Sequence, residues 1–235
     1  PLSKSNSLIS ELLLESGTQV AILDINQEAL ESLENNEKIL KIICDITKEN
    51  EVINAIDSIK DKFKKIDILI NNAGILYSEP LINITSDKKK HSLDSWRKIV
   101  DINLTAPFIM GSYVAEQMVT NRTKGVIVNI SSISSKGNAG QSAYSAAKAG
   151  LESMTTVWAK ELGSFGIRCV AVAPGFIDTK STRDAITDDL LANIMLATPL
   201  KKLGKVQDIA AAVKFVIESD YINGKTLHID GGLVL

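Results

Sequence analysis

Short runs of consecutive aliphatic and β-branched residues recur along the chain, most followed by a stretch whose apolar positions return at helical spacing. The runs occupy residues 19–24, 39–43, 66–70, 125–130, 167–172 and 226–229. They are continuous rather than alternating, the pattern of strands buried on both faces of a parallel sheet. Helices are predicted over 26–34, over 48–63, where Ile53, Ile56 and Ile59 supply the apolar face, and over 142–162, which lacks proline. Strands alternating with such helices define βαβ units. The expected fold is α/β: a doubly wound, Rossmann-type parallel sheet in a three-layer α/β/α arrangement.

Length and composition narrow the choice. The 235 residues, at about 150 per domain, leave one large domain or two small ones. No low-complexity linker divides them, so a single domain over 1–235 is expected. Two segments interrupt the alternation: 75–93, with its Asp87-Lys88-Lys89-Lys90-His91 run, and 175–204, with Thr198-Pro199. Long excursions border binding sites, and both leave the carboxyl end of a strand, where open parallel sheets hold their ligands. A net charge of −2 provides no basic stripe for nucleic acid. No apolar run reaches the roughly 18 residues of a membrane span, and the first residues do not form a signal peptide. Cys44 and Cys169 sit inside apolar runs with no paired spacing and read as buried thiols of a reducing, cytoplasmic setting. His91 and His228 have no metal-ligand spacing, so no metal is expected.

Chemistry concentrates after the run at 125–130. Ser131-Ser132 follows it directly, then Tyr144-Ser145-Ala146-Ala147-Lys148 opens the helix at 142–162. Tyr144 and Lys148 therefore share one helical face, a turn apart. A free phenol, with a pKa near 10, exchanges protons poorly at neutral pH; a neighbouring ammonium favours the phenolate and is expected to bring it toward the working range. Tyr221 and Lys225 repeat the spacing, but Asn223-Gly224 between them signals a turn.

Further segments fall in a telling order. Asn71-Asn72-Ala73-Gly74 closes one predicted strand, Asn103 sits in Asp101-Ile102-Asn103-Leu104-Thr105, Pro174-Gly175 closes another strand, and Asp230-Gly231-Gly232 follows the last. From about Leu8 to Leu235 the chain resembles the short-chain dehydrogenase/reductase family. It is most similar to the β-ketoacyl-acyl-carrier-protein reductases, through Asn129-Ile130-Ser131-Ser132-Ile133-Ser134, Gly140-Gln141-Ser142-Ala143-Tyr144 and Ala173-Pro174-Gly175-Phe176-Ile177. The resemblance implies Tyr144 as general acid/base and Lys148 as the lysine that binds the nicotinamide ribose and assists it. It implies that Ser132 positions the substrate carbonyl, that Asn103 holds a water of the proton relay through its backbone, and that Tyr144 also contacts the cofactor. It implies cofactor contacts from Asn72, from Ile177 through its backbone, from Thr179, and from Asp45, the adenine-contacting acid, with Ile46 beside it. Spacing from the tyrosine selects Ser131 instead of Ser132. Only one of the two faces the site, and Ser132 is preferred because a loop absorbs a deletion more easily than a strand register.

Asp24 ends the first run, where a carboxylate accepts from a ribose 2′-hydroxyl and repels a 2′-phosphate; NAD is expected in preference to NADP. The competing role is helix capping, for which Asn26 is also available. Family members open with a strand and a glycine-rich turn at a helix N-terminus. Here residues 8–16 match the first helix, 3–6 occupy the place of the turn, and no glycine precedes Gly17. The absent strand is a central one, and each backbone group left unpaired there costs about 1–3 kcal/mol. A preceding piece of roughly ten to fifteen residues, a strand and its turn, is therefore expected.

The function implied is hydride transfer between NAD(H) and a carbonyl/secondary alcohol pair, with a 3-oxoacyl thioester as leading substrate. A coenzyme A thioester, another small alcohol or ketone, and a non-catalytic binding protein on the same fold are the alternatives. For an acyl carrier protein as partner, Arg122 and Lys124 fall near one docking place of related reductases, Phe165 stands where a second arginine is expected, and Lys88, Lys89 and Lys90 offer further charge. Family members form tetramers through the helices carrying Tyr144 and Asn103 and through the C-terminal strand, so a homotetramer is implied.

Overall fold

Each of the six apolar runs forms a strand in the computed structural model, which describes Lys4 to Leu235 apart from Ser86 and Lys88, and side chains at these positions except 4–7, 180, 181 and 185. β1 (Val20–Asp24) pairs with β2 (Ile39–Ile43), and β3 (Ile68–Asn71), β4 (Gly125–Ile130), β5 (Ile167–Pro174) and β6 (Thr226–Ile229) pair in that order, all in parallel. The helices are α1 (Lys4–Glu15), α2 (Gln27–Glu31), α3 (Glu49–Phe63), α4 (Leu93–Val100), α5 (Ala106–Thr120), α6 (Ser142–Leu162), α7 (Lys180–Ala185), α8 (Asp188–Ala197) and α9 (Val206–Glu218). Boundaries follow local chemistry. Asn26 Oδ1 caps α2 by accepting from Ala29 N–H at 3.0 Å, and α2 stops short of the predicted residue 34 at Ser32, whose hydroxyl bonds back to Ala29 O. α3 carries Glu49 and Glu51 in its first turn and Lys60 and Lys62 in its last, matching the helix dipole.

The period of two along the central strands sorts the core into two layers. Val126, Val128 and Ile130 of β4 with Val170 and Val172 of β5 pack against α1 and α9, through Ile9, Leu12, Ile209, Val213 and Val216. Ile127, Ile167 and Cys169 face the other way, onto Val52 and Ile56 of α3, Val114 and Met118 of α5, and Ala159 of α6. The three layers of the expected α/β/α architecture are therefore present, with α1 and α9 on one side and α3, α5 and α6 on the other.

The sheet is in two parts. Among the described residues no strand lies between β1 and β3. Their facing edges, Val20 to Leu23 and Ile68 to Asn71, border a slot of about 700 Å³ floored and roofed by Ile9, Leu13, Ile56, Phe63, Met110 and Val114. Lys4, Ser5 and Asn6, expected at the place of a turn, are helical as the start of α1, while Ser3 lies outside the described residues. Of the two excursions, the second is not a simple loop, because it folds into α7 and α8 and its two ends are joined by an isolated parallel bridge between Ile177 and Gly204, outside the sheet. The first is tied down by an antiparallel bridge between Ile82 and Lys90.

Candidate active site

The carboxyl ends of β3 and β4 and the first turns of α6 meet at one place. Side chains on α6 are stitched to three successive residues at the end of β4. Asn129 Nδ2 donates to Thr155 Oγ1 at 2.9 Å, Lys148 Nζ donates to Ile130 O at 2.8 Å, and Ser131 Oγ donates to Glu152 Oε1 at 2.8 Å. Asn71 Nδ2 extends the chain from β3 by donating to Asn129 Oδ1 at 2.8 Å. All but the partly exposed Glu152 are buried, so the hydrogen bonds offset a desolvation cost that would otherwise work against folding. They set the height of α6 against the sheet and with it the positions of Tyr144 and Lys148.

The two serines part company here. Ser131 turns inward to Glu152 and to Lys148 O. The Ser132 hydroxyl accepts from Ser134 N–H at 3.1 Å, capping the short 3₁₀ turn Ile133–Lys136, and lies on the Tyr144 side, where its influence lowers the phenol pKa. The Lys148 ammonium lies 5.7 Å from the centre of the Tyr144 ring. Burial pushes Lys148 down to about 8. Burial also raises Tyr144 above the ordinary phenol value, and the Ser132 hydroxyl opposes that shift only in part. The expectation that Lys148 draws Tyr144 toward neutrality is thus corrected. Desolvation dominates, the ammonium is engaged by Ile130 O, and the phenol stays protonated, poised to donate.

Asn103 arrives from the other side. α4 passes into a π-helical turn, Asp101–Thr105, before α5 begins, a widening that often marks functional positions. The fully buried Asn103 donates from Nδ2 to Ile75 O at 2.9 Å and to Ile99 O at 3.0 Å. Its Oδ1 has no partner among the described residues. A methyl group placed on Gly74 would stand 2.6 Å from Asn103 Oδ1 and 3.6 Å from Lys148 Nζ, so only glycine lets the strand-end backbone come this close. Asn72 lies on the same turn, at the mouth of the slot.

The residues suit a dinucleotide at its two ends. On one side are the unpartnered Asn103 Oδ1, Lys148 and the Gly74 backbone. The Ile177–Gly204 bridge belongs here too: it bonds through Phe176 O and Asp178 N, which leaves the amide and carbonyl of Ile177 turned away from Gly204. On the other side Asp24 ends β1 and Asp45 follows β2. Asp24 Oδ1 accepts from Asn26 N–H at 2.8 Å, so the acid supports the turn while Asn26 itself caps α2. Asp45 accepts from the Thr47 hydroxyl and amide, and the hydroxyl holds its carboxyl below the usual range. Ile46 packs toward the core and borders the slot. Thr179 caps α7, accepting from Thr182 N–H at 3.1 Å. Between the two ends, no glycine-rich turn offers its amides to a pyrophosphate among the described residues.

Three placements were not foreseen. Glu152 bears the next carboxylate along the Lys148 face. The first excursion is anchored to the loop before Tyr144, with Glu79 N–H donating to Gly140 O at 2.7 Å and Gln141 Nε2 to Ser78 Oγ at 3.3 Å. Within that excursion His91 Nδ1 sits 2.9 Å from Glu79 O. Only their charged letters hinted at these roles, and charge in a loop or on a helix ordinarily means solvent. The proposed carrier-docking cations also need correction. Arg122 and Lys124 precede β4 and Phe165 precedes β5, at the amino ends of the strands, whereas Ser132 lies at the carboxyl end. Within one chain they do not border the site. Lys88 lies outside the described residues, and Lys89 and Lys90 are exposed. The second Tyr/Lys pair is no site either, since Tyr221 is fully exposed beside the Asn223-Gly224 turn.

A parallel α/β sheet with a tyrosine and a lysine on one helical turn facing a strand-end serine is the architecture of a dehydrogenase. A family model described as enoyl-(acyl carrier protein) reductase matches residues 7–234, and the chain belongs to the short-chain dehydrogenase/reductase family of NAD(P)-dependent oxidoreductases. It is 37% identical over 196 residues to 3-oxoacyl-[acyl-carrier-protein] reductase of Salmonella typhimurium, covering 83% of this chain and 77% of that protein. It is 36% identical over 242 residues to sorbitol-6-phosphate 2-dehydrogenase of Klebsiella pneumoniae, covering 95% and 90%. The solved structure of 4-hydroxyisoleucine dehydrogenase complexed with NADH matches with a TM-score of 0.83 and 29% identity, over 98% of this chain and 94% of that one.

Proposed function

We propose that the protein reduces the carbonyl of a 3-oxoacyl thioester, with NADH as hydride donor, and catalyses the reverse oxidation of the 3-hydroxyacyl product. The observation that carries this is the convergence of Ser132, Tyr144, Lys148 and Asn103 at the ends of β3 and β4. The dinucleotide, when bound, supplies the hydride; the chain's own groups handle the oxygen. Ser132 donates a hydrogen bond to the carbonyl oxygen and orients it. Tyr144, kept protonated by its buried setting, gives its phenolic proton to that oxygen as negative charge develops there. Lys148 and Asn103 hold the ribose side and the relay that returns a proton to the tyrosine. Asn72 and the backbone of Ile177 flank the nicotinamide, with Thr179 close behind, and Asp24, Asp45 and Ile46 receive the adenosine. The Asp24 carboxylate favours a free 2′-hydroxyl over a 2′-phosphate.

An acyl chain suits the surroundings. The first excursion exposes Leu76, Tyr77, Leu81, Ile82 and Ile84, and the second exposes Leu190, Leu196 and Leu200. Such apolar surface supports a thioester with a hydrocarbon tail over a sugar phosphate.

Tyr144→Phe is expected to lower kcat by at least roughly a thousandfold while leaving circular dichroism unchanged. Retained turnover would sink the assignment. Initial rates are expected to be higher with NADH than with NADPH, and Asp24→Ser to narrow that preference. Rates on carrier-bound against coenzyme A-bound 3-oxoacyl chains separate the two thioester substrates.

A further inference from the structure

The loop that carries Ser132 is held at both ends by one side chain. Ser131, at its start, donates to Glu152 Oε1 at 2.8 Å. Lys136, at its end, places Nζ 3.7 Å from Glu152 Oε2. Glu152 stands four residues beyond Lys148 on α6, so the helix that presents Lys148 and Tyr144 also presents the clamp for the loop opposite them. Its side chain is only 13% exposed. An apolar residue would fill that place at less cost, because a carboxylate withdrawn from water is unfavourable unless its oxygens are engaged. Here both are, one by each end of the loop. The same junction supplies the Ile130 carbonyl that anchors the Lys148 ammonium at 2.8 Å. Freed from Glu152, Ser131 could turn over and rotate Ser132 away from Tyr144, since successive residues point to opposite sides.

We propose that Glu152 is a positioning residue of this site: by clamping Ser131 and Lys136 it keeps the Ser132 hydroxyl on Tyr144 and the Ile130 carbonyl on Lys148. The inference rests on the reading of Ser132, Tyr144 and Lys148 given above, and it has a readout that does not need turnover.

Tyr144 titration is followed by ultraviolet phenolate absorbance, as the difference between the protein and its Tyr144→Phe variant, with and without Glu152→Leu and Glu152→Gln. The Ser132 hydroxyl lowers the Tyr144 titration midpoint. Glu152→Leu should therefore move that midpoint upward. Glu152→Gln, whose amide oxygen still accepts from Ser131, should leave it near the parent value. In turnover of a 3-oxoacyl coenzyme A thioester, Glu152→Leu should lower kcat roughly 10- to 100-fold, and Glu152→Gln should restore most of it. A Glu152→Leu protein with the parental Tyr144 midpoint overturns the proposal, even if it melts at a lower temperature. So does Glu152→Gln titrating like Glu152→Leu. A parent protein that reduces no carbonyl would defeat the functional reading instead, and the titration arm would still decide the role of Glu152.

Discussion

Lys148 is a cation without a carboxylate partner of its own among the described residues, held by a backbone carbonyl and by burial. Burial takes its amine from the ordinary 10.5 down to about 8. The sign follows from proton counts. Between these values the unfolded chain binds a proton that the folded chain does not, so stability rises as pH climbs through that window and the burial penalty is present in full below it. Activity runs the other way. The ammonium that orients the ribose is lost as pH passes about 8, and kcat/KM for carbonyl reduction is expected to fall there while thermal stability does not. A pH profile of rate alongside one of melting temperature checks both. Residue-scale chemistry was only half visible in the letters. The Tyr144/Lys148 spacing announced a shared face. The direction of the Tyr144 shift could not be read from it, because desolvation depends on what closes over the ring. The choice between Ser131 and Ser132 likewise turned on Glu152, which in sequence looks like any exposed helix carboxylate.

At the scale of elements, β5 reaches across its layer to terminate α9. Arg168 donates to Val216 O at 2.9 Å and to Ile217 O at 2.7 Å, satisfying carbonyls that the helix end leaves open, and to Ile222 O at 3.2 Å in the turn beyond. Arg168→Met keeps the aliphatic stem and removes these charged donors. A loss of about 2–3 kcal/mol is expected, and with it a fall in melting temperature of roughly 4–12 °C. Calorimetry of the variant tests this. Strands were the most legible elements. Their runs are continuous because both sheet faces are covered, and the strands at 39–43, 125–130 and 226–229 and the helix at 142–162 stand where the pattern put them. α5 escaped notice for the opposite reason. Ala106, Met110, Gly111, Val114 and Met118 are all buried, and a helix with apolar residues on most sides carries little periodic contrast. α7 and α8 were hidden inside a polar excursion.

For the whole molecule, a strand's place in the sheet governs where the fold yields first. β4 and β5 have a neighbour on each side, whereas β2 and β6 are each paired on one side only among the described residues. Hydrogen exchange followed by mass spectrometry should find the amides of β4 and β5 the slowest and those of β2 and β6 markedly faster. Equal protection across all the strands would contradict this order. The expectation of two unpaired edges came from counting strands. The slot's dimensions could come only from the packing of α1, α3 and α5. Two places along the sheet also hold a buried sulfur atom. Cys44 follows β2 and Cys169 lies within β5; both are buried, and burial lifts their thiols to about 11 and about 12. Neither reacts with an alkylating reagent until its surroundings part. The pair therefore forms two chemical clocks, and the interval between their labelling times measures how independently the surroundings of β2 and β5 come undone.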